Sequence, residues 1–408
     1  MGLSVFLVVL GICGLSAGGH VYVRDGAAMY MMSKSMLDHH WFDVPEHPNT
    51  VGGKTGPDGR YYMPFGVLQP FLALPFVAFG IRLARIFDTQ YLAFFAATWL
   101  NWFVTAGLGL MFWFAARKEK LSIRNSYLAA LTIVFSTPFW VYSQTFFTEP
   151  LTSLFSFLAF LSVYQAEKHR KISGLLLAGF LCGAIIMVRP LGGLIIPPLV
   201  LYLLLKERDA KADTLSSAKN LLAFLFPAVL GLGLYLFFNH LRFGSILETG
   251  YDKLPDGSLR SFTLSPLYGL KVLLLSPGKS LFAFAPALLL FPLGLIQSWR
   301  NGKQSESIFI VICSTLYLLV LSSWSRVEGG VTWGPRLILP IVPLLFWSIL
   351  PLFSSRSKLL RTTLVLLIIA GIGVNSLGVI VNFSTIVTLH IDEYFSPVDG
   401  VYRFGFNP

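Results

Sequence analysis

Asp25 follows an apolar run directly, in the stretch Val-Arg-Asp-Gly-Ala-Ala-Met-Tyr (23–30). A carboxylate at that place can take a proton from an incoming hydroxyl as a general base. It can equally cap a short amphipathic helix, which Ala28, Met32, Ser35 and Met36 mark by their spacing. A second stretch, Gly-Arg-Tyr-Tyr-Met-Pro-Phe-Gly (59–66), sets Arg60 beside Tyr61 and Tyr62. That grouping suits a phosphate held at a membrane interface, or an aromatic belt with a snorkelling arginine. Thr-Glu-Pro (148–150) puts Glu149 at the start of an apolar run, where an ionisable group is expensive. A helix-start carboxylate is its structural alternative. Arg189-Pro190 is the same situation with positive sign, either an anion ligand or a paired structural arginine.

Two later stretches carry further cations. Trp324-Ser-Arg326, Glu328-Gly-Gly330 and Trp333-Gly-Pro-Arg336 lead into an apolar run, so Arg326 and Arg336 sit beside tryptophans at its mouth. Arginine forks with apolar neighbours suit a lipid phosphate, and membrane anchoring alone is the competing reading. The stretch 239–280 contains Arg242-Phe-Gly-Ser, Glu248-Thr-Gly-Tyr251 and Ser276-Pro-Gly-Lys279. Ser-Pro-Gly-Lys lacks the glycine spacing and strand context of a nucleotide loop, so ATP binding is rejected. Asp38, His39, His40, Asp43, Glu46 and His47 are metal-ligating in type. Their spacing follows no zinc signature, and a solvated loop is the default, leaving a divalent metal as a minor possibility and no cofactor expected.

The elements that position these groups follow from composition. The chain has 408 residues, 55% apolar and only 12% charged, which excludes a soluble globular enzyme, a disordered chain and a fibrous one. Long apolar runs recur throughout, predicting an all-α polytopic membrane protein with about 11 spans (roughly 10–13). The expected spans are 3–19, 91–115, 126–145, 151–165, 173–188, 191–205, 220–238, 281–298, 307–323, 337–353 and 362–384. The first is read as a retained helix, since no basic region precedes it. The apolar segment 65–87, broken by Pro70, Pro75, Arg82 and Arg85, is expected to lie in the interface. Cys13, Cys182 and Cys313 fall inside apolar runs as small fillers.

The net charge of +11 could signal nucleic acid, but its distribution argues otherwise. With the N-terminus cytoplasmic, the inner loops 116–125, 166–172, 206–219, 299–306 and 354–361 hold 16 basic and six acidic residues. Everything else holds 15 basic and 14 acidic residues. The surplus is thus a threading signal, and nucleic-acid binding loses its support. The chemistry is expected on the other side. That side receives loop 20–90, loop 239–280, the corners at Glu149 and Arg189, segment 324–336 and tail 385–408. The chain is read as one transmembrane unit over 1–408.

Taken in order, these motifs resemble the GT-C superfamily of integral-membrane glycosyltransferases. The likeness is greatest to the bacterial group related to protein O-mannosyltransferases and lipid A aminoarabinose transferases. The features that carry it begin with Asp25 after the first span and Tyr-Tyr-x-Pro-x-Gly at 61–66. Glu149-Pro150 and Arg189-Pro190 follow, then Arg-Phe-Gly-Ser…Thr-Gly-Tyr, Leu-Ser-Pro-Gly-Lys and Gly-Gly-x-x-Trp-Gly-Pro-Arg. The resemblance implies a sugar donor carried on polyprenyl phosphate and inverting transfer on the outer face of a bacterial inner membrane, with the C-terminus outside. It implies Asp25 as general base and Glu149 as a residue orienting the acceptor or the base. Arg336, Arg60 and Arg189, then Lys54, Arg326 and Lys279, become candidates for the donor phosphate. Tyr61, Tyr62, Trp333 and Tyr251 become candidates for substrate contact. The partners implied are the lipid-linked donor, a glycan, lipid or protein acceptor, and membrane lipids. Met63 stands before Pro64 where relatives often carry a cation, which moves the phosphate contact toward Arg60 or Lys54. The chain ends at Pro408 without the large outer domain of some relatives, which leaves the acceptor class open. A transporter or flippase for a lipid-linked saccharide is the rival reading. It should show charged or broken helices at mid-membrane in two matching halves. Instead the sequence offers Asn101, Asn375 and Asn382 as its few interior polar positions, and single amides commonly bridge helices.

Overall fold

The computed structural model describes residues 1–19, 24–46, 52–169, 171–211, 213–251, 262–330 and 332–382. His47, part of the second long loop and the tail 385–408 lie outside the described residues. Helices dominate, and among the described residues the strands are one two-residue hairpin, β1 (Lys54–Thr55) antiparallel to β2 (Tyr61–Tyr62).

Each expected span falls on a helical segment in the same order. They are α1 (Gly2–Leu15), α5 (Tyr91–Lys118), α6 with α7 (Ile123–Phe135, Phe139–Ser143), α8 (Glu149–His169) and α9 (Ile172–Val188). Then come a 3-10 turn (Pro190–Ile195) running into α10 (Ile196–Asp209), and α11 (Thr214–Phe243). After α12 (Pro266–Leu275) follow α13 (Leu281–Phe284), a 3-10 turn and α14 (Phe291–Arg300). The last are α15 (Gln304–Ser322), the 3-10 turn Arg336–Ile341 with α16 (Val342–Ile349), and α17 (Lys358–Ile380). Six of these segments are long and apolar enough to cross a membrane by length and composition.

Where the boundaries differ, proline or capping explains it. The expected helix 126–145 breaks between Phe135 and Phe139, and Pro138 starts its second piece. The expected helix 281–298 is divided by Pro286 and Pro292. The loop expected from 239 begins later, because α11 continues to Phe243 and ends at Gly244 in the left-handed region. Its start is sharp as well, with Asp213 accepting from Ser216 N at 2.9 Å. Segment 65–87 forms two short helices, α3 (Leu68–Leu72) and α4 (Leu74–Ile86), with Val77 and Gly80 of α4 buried.

The interhelical polar contacts show how the ends are grouped. Lys206 pairs with Glu306 at 2.7 Å and Lys303 pairs with Glu119. Tyr164 and Tyr202 hydroxyls donate to Glu119 and Glu306 at 3.0 and 3.1 Å. Asn125 reaches Ser354 at 3.2 Å. The basic connections 119–125, 206–209, 301–306 and 354–358 therefore gather at one end of the bundle. The motifs read as chemical gather at the other.

Candidate active site

At that second end, α2 (Arg24–Asp38) lies with Ala28, Met32 and Ser35 buried, while exposed Lys34 and Asp38 pair at 2.6 Å. The buried surface is wider than the spacing predicts: Gly26, Ala27, Met29 and Ser33 are buried too, while Met36 is only partly so. Asp25 sits in the first turn rather than before it, since the helix opens at Arg24.

Glu149 opens α8, with Pro150 next, where the missing amide hydrogen costs nothing. The backbone just before it is pinned by two amides. Asn101 of α5 donates to the carbonyls of Thr145 and Phe147 at 2.8 and 2.9 Å. Gln69 of α3 donates to Phe146 and Phe147 at 3.0 Å each. Asn101 and Asn375 thus fasten helices to neighbouring carbonyls, which is the bridging role expected of lone interior amides. Arg189 ends α9 in extended conformation, and Pro190 begins the next turn. Arg336 opens the 3-10 turn after Pro335.

These four side chains converge. Arg336 Nη1 lies 3.1 Å from Asp25 Oδ2, and its Nε lies 3.2 Å from Glu149 Oε1. Arg189 pairs with the same Glu149 oxygen. The guanidinium of Arg336 also sits over the Phe147 ring, 4.3 Å from its centroid. Glu149 is 2% exposed in its side chain while Asp25 is 37% exposed, so Asp25 is the carboxylate of this cluster within reach of solvent. Glu149, sealed off with two arginines, is held in place by charge pairing.

A cavity of about 510 Å³ opens beside the cluster. Asp25, Glu149, Arg189 and Arg336 line one part of it; Arg326, Glu328, Tyr235, Tyr251, Thr249, Phe262 and Trp324 line the rest. The cavity thus presents three carboxylates and three arginines. Gly66 lines it too, and a Cβ there would stand 2.3 Å from the carbonyl oxygens of Met187 and Val188. Only glycine lets the first loop lie this close to the chain just ahead of Arg189. Tyr235 and Phe147 were not singled out from sequence. Tyr235 is one aromatic in an apolar helix and Phe147 stands in Thr-Phe-Phe-Thr ahead of Glu149, and nothing in spacing marks either.

Other residues singled out from sequence stand elsewhere. Arg60 is half-exposed at the hairpin tip, 3.8 Å from Asp58 and over the Trp41 ring. Lys54 pairs with Glu248 at 2.7 Å. Tyr62 is buried, accepting from Trp41 Nε1 at 2.7 Å and donating to Asp58 at 2.6 Å. Burial first, then the Asp58 hydrogen bond, push its hydroxyl up to about 12. Tyr61 pairs across the hairpin with Thr55. Trp333 packs edge-on against Phe284 and its carbonyl accepts from Tyr142 at 2.5 Å. Lys279 is buried with its ammonium on main-chain oxygens, and that burial pushes it down to about 7. None of these six lines the cavity. Among the described residues no group of three or more His, Cys, Asp or Glu side chains could hold a metal ion, and His47 falls outside them.

A buried cation that sequence reading treated only as part of a loop motif is Arg242. It donates to the carbonyls of Met63 and Phe65 at 2.8 and 2.9 Å and to Asn239 at 2.9 Å. Phe238 and Phe243 flank its guanidinium. It therefore ties the strip leading to Gly66 onto the end of α11.

Comparison with known proteins agrees with this architecture. A family model described as dolichyl-phosphate-mannose-protein mannosyltransferase matches residues 75–232. No curated protein matches the chain. Among solved structures, the archaeal oligosaccharyltransferase AglB from Archaeoglobus fulgidus, in complex with an inhibitory peptide and a dolichol-phosphate, aligns with a TM-score of 0.56 at 12% identity. That alignment covers 100% of this chain and 61% of AglB, so the chain spans about three fifths of that protein's length. ArnT from Cupriavidus metallidurans, bound to undecaprenyl phosphate, aligns with a TM-score of 0.53 at 11% identity, covering 97% of this chain and 81% of ArnT. The chain thus shares the fold of these two membrane proteins, and the mannosyltransferase family model matches it over residues 75–232.

Proposed function

We propose that the chain is a glycosyltransferase that moves a sugar from a polyprenyl-phosphate carrier to an acceptor hydroxyl, with inversion. The observation that carries this reading is the partly exposed Asp25 carboxylate, 3.1 Å from a buried arginine at the wall of a 510 Å³ cavity. Transfer from a lipid phosphate needs a base for the acceptor and cations for the leaving group. A separate general acid is unnecessary, because the phosphate leaves as an anion.

In the reaction, the acceptor oxygen bonds to the anomeric carbon as its proton passes to Asp25. The bond from that carbon to the phosphate oxygen breaks, and the electron pair leaves with the phosphate. Arg336 and Arg189, prepositioned by Glu149, receive the charge that develops there; Arg326 adds a third cation to the same cavity. Tyr251 supplies a polar edge toward the sugar. Two proteins of the same fold support the carriers: AglB is in complex with a dolichol-phosphate and an inhibitory peptide, and ArnT is bound to undecaprenyl phosphate.

The chain is integral to the membrane. The gathering of basic loops at the opposite end supports a cytoplasmic location for that end and an outer location for the cavity, in a bacterial inner membrane. Asp25→Asn, assayed in membranes supplied with labelled polyprenyl-phosphate sugar, is expected to lose transfer by about 10²–10⁴-fold. Unchanged transfer by correctly folded mutant protein would remove Asp25 from the role of base.

A further inference from the structure

The loop 324–336 carries three of the cavity's charged groups, Arg326, Glu328 and Arg336, yet its backbone is poorly suited to holding them. Gly329, Gly330 and Gly334 all adopt positive φ, at +75°, +78° and +63°. Glycines in such conformations give the unbound loop wide freedom, so something outside it must fix its shape. The fixing groups are donors from elsewhere in the chain. Lys279 Nζ lies 3.1 Å from Gly330 O, 2.6 Å from Thr332 O and 3.1 Å from Thr332 Oγ1. Three acceptors thus meet the three protons of one ammonium. Tyr142 takes the next carbonyl, that of Trp333. Lys279 is 3% exposed. The turn that delivers it is itself closed, by Lys279 N on Ser276 O and by Ser280 capping α13 through Ala283 N at 3.2 Å.

We propose that Lys279 is a positioning residue: its ammonium fastens Gly330 and Thr332 and thereby sets where Glu328 and Arg336 stand in the cavity. The inference rests on the transferase reading for its catalytic consequence, but not for the tether itself. A buried ammonium is costly unless its hydrogen bonds are met, and here the loop's own carbonyls meet them. Glu328 and Arg336 are the charged groups whose fields act on it, one attractive and one repulsive. The loop that the lysine holds is thus also the loop whose charges it feels. A phosphate-binding lysine would instead present its ammonium to the cavity, which Lys279 does not line.

The test compares full-length Lys279→Met, Lys279→Arg and Thr332→Val with the unmodified chain in detergent. Lys271→Met, at an exposed position of α12, serves as the control. Amide exchange of residues 326–337, undecaprenyl-phosphate binding and labelled-sugar transfer are each measured. Lys279→Met is expected to speed exchange in that segment by about tenfold or more while the spans stay protected. Its transfer should drop by about 10²-fold, chiefly in kcat, because the cavity groups are misplaced rather than removed. Lys279→Arg should restore part of both, and Thr332→Val should shift exchange in the same direction by less. Unaltered exchange of 326–337 in both Lys279→Met and Thr332→Val overturns the proposal. So does lost transfer with a fully protected loop, which would mean that Lys279 meets substrate directly. If Lys279→Met does not fold, Thr332→Val and Lys279→Arg decide the question by the same exchange readout. Absence of both lipid binding and transfer in the unmodified chain, with exchange responding as described, would sink the transferase reading and leave the tether standing.

Discussion

Two kinds of cation stand at the same end of the bundle. Arg336 and Arg189 meet carboxylates at the wall of the cavity. Arg242 and Lys279 meet main-chain carbonyls behind that wall. The first pair keeps ionic partners at the cavity wall, where an incoming anion can compete with them. The second is committed to the chain's own backbone, which no ligand replaces without opening the structure. Position at this end of the bundle therefore does not make a cation a ligand; the nature of its present partner does.

The contrast can be broken most forcefully at Arg336. Arg336→Met removes the group facing Asp25 and leaves Glu149 with one arginine. Transfer is expected to fall about 10²–10³-fold, and stability by about 3–5 kcal/mol, because the buried carboxylate of Glu149 loses a partner. Labelled-sugar transfer and thermal unfolding in detergent measure the two effects. Arg242→Met should behave differently, with a stability loss of about 2–4 kcal/mol from carbonyls left without donors. Undecaprenyl-phosphate binding, scored in the protein that remains folded, should persist. If Arg242→Met abolished binding at unchanged stability, the division between the two kinds of cation would fail.

The opposite end supplies a titrating control. Burial pushes Lys303 down to about 8 from 10.5. Its folded value lies below its unfolded one, so the unfolded chain binds more protons between those two values. The penalty from Lys303 is present at neutral pH and fades as pH rises from about 8 through 10.5. Unfolding midpoints over that range should climb more steeply for the unmodified chain than for Lys303→Met. Equal slopes would show that Lys303 is not the group responsible. Smallest of all is Lys34→Ala on α2, an exposed i,i+4 pair with Asp38, expected to change stability by under about 0.5 kcal/mol.

How much of this was legible beforehand depended on what kind of signal each residue gives. Apolar runs are long and redundant, so every expected span meets a helical segment, although among the described residues six of these segments are long and apolar enough to cross a membrane. Asp25, Glu149, Arg189, Arg326, Tyr251 and Arg336 lie at ends of elements or in the loops leading to them. Topology alone brought those ends together, and the cavity joins them. Lys54, Arg60, Tyr61, Tyr62, Lys279 and Trp333 share the same end yet turn elsewhere. Their direction depends on the hairpin register and on glycine-governed loops, which a charge count does not reveal. Arg242 was the reverse case. It closes the apolar helix α11 at a familiar sequence motif, and its role appears only once Met63 and Phe65 are folded back over it.

The close packing of Gly66 has a consequence for access. The first loop touches the backbone at Met187 and Val188 with no side chain between, and Arg242 clamps it from behind. That seam welds the loop to the segment bearing Arg189, so neither can swing without the other. Trp324, Phe262, Gly329 and Gly330 line the same cavity from segments outside that seam, so the cavity's shape can change there while the seam holds.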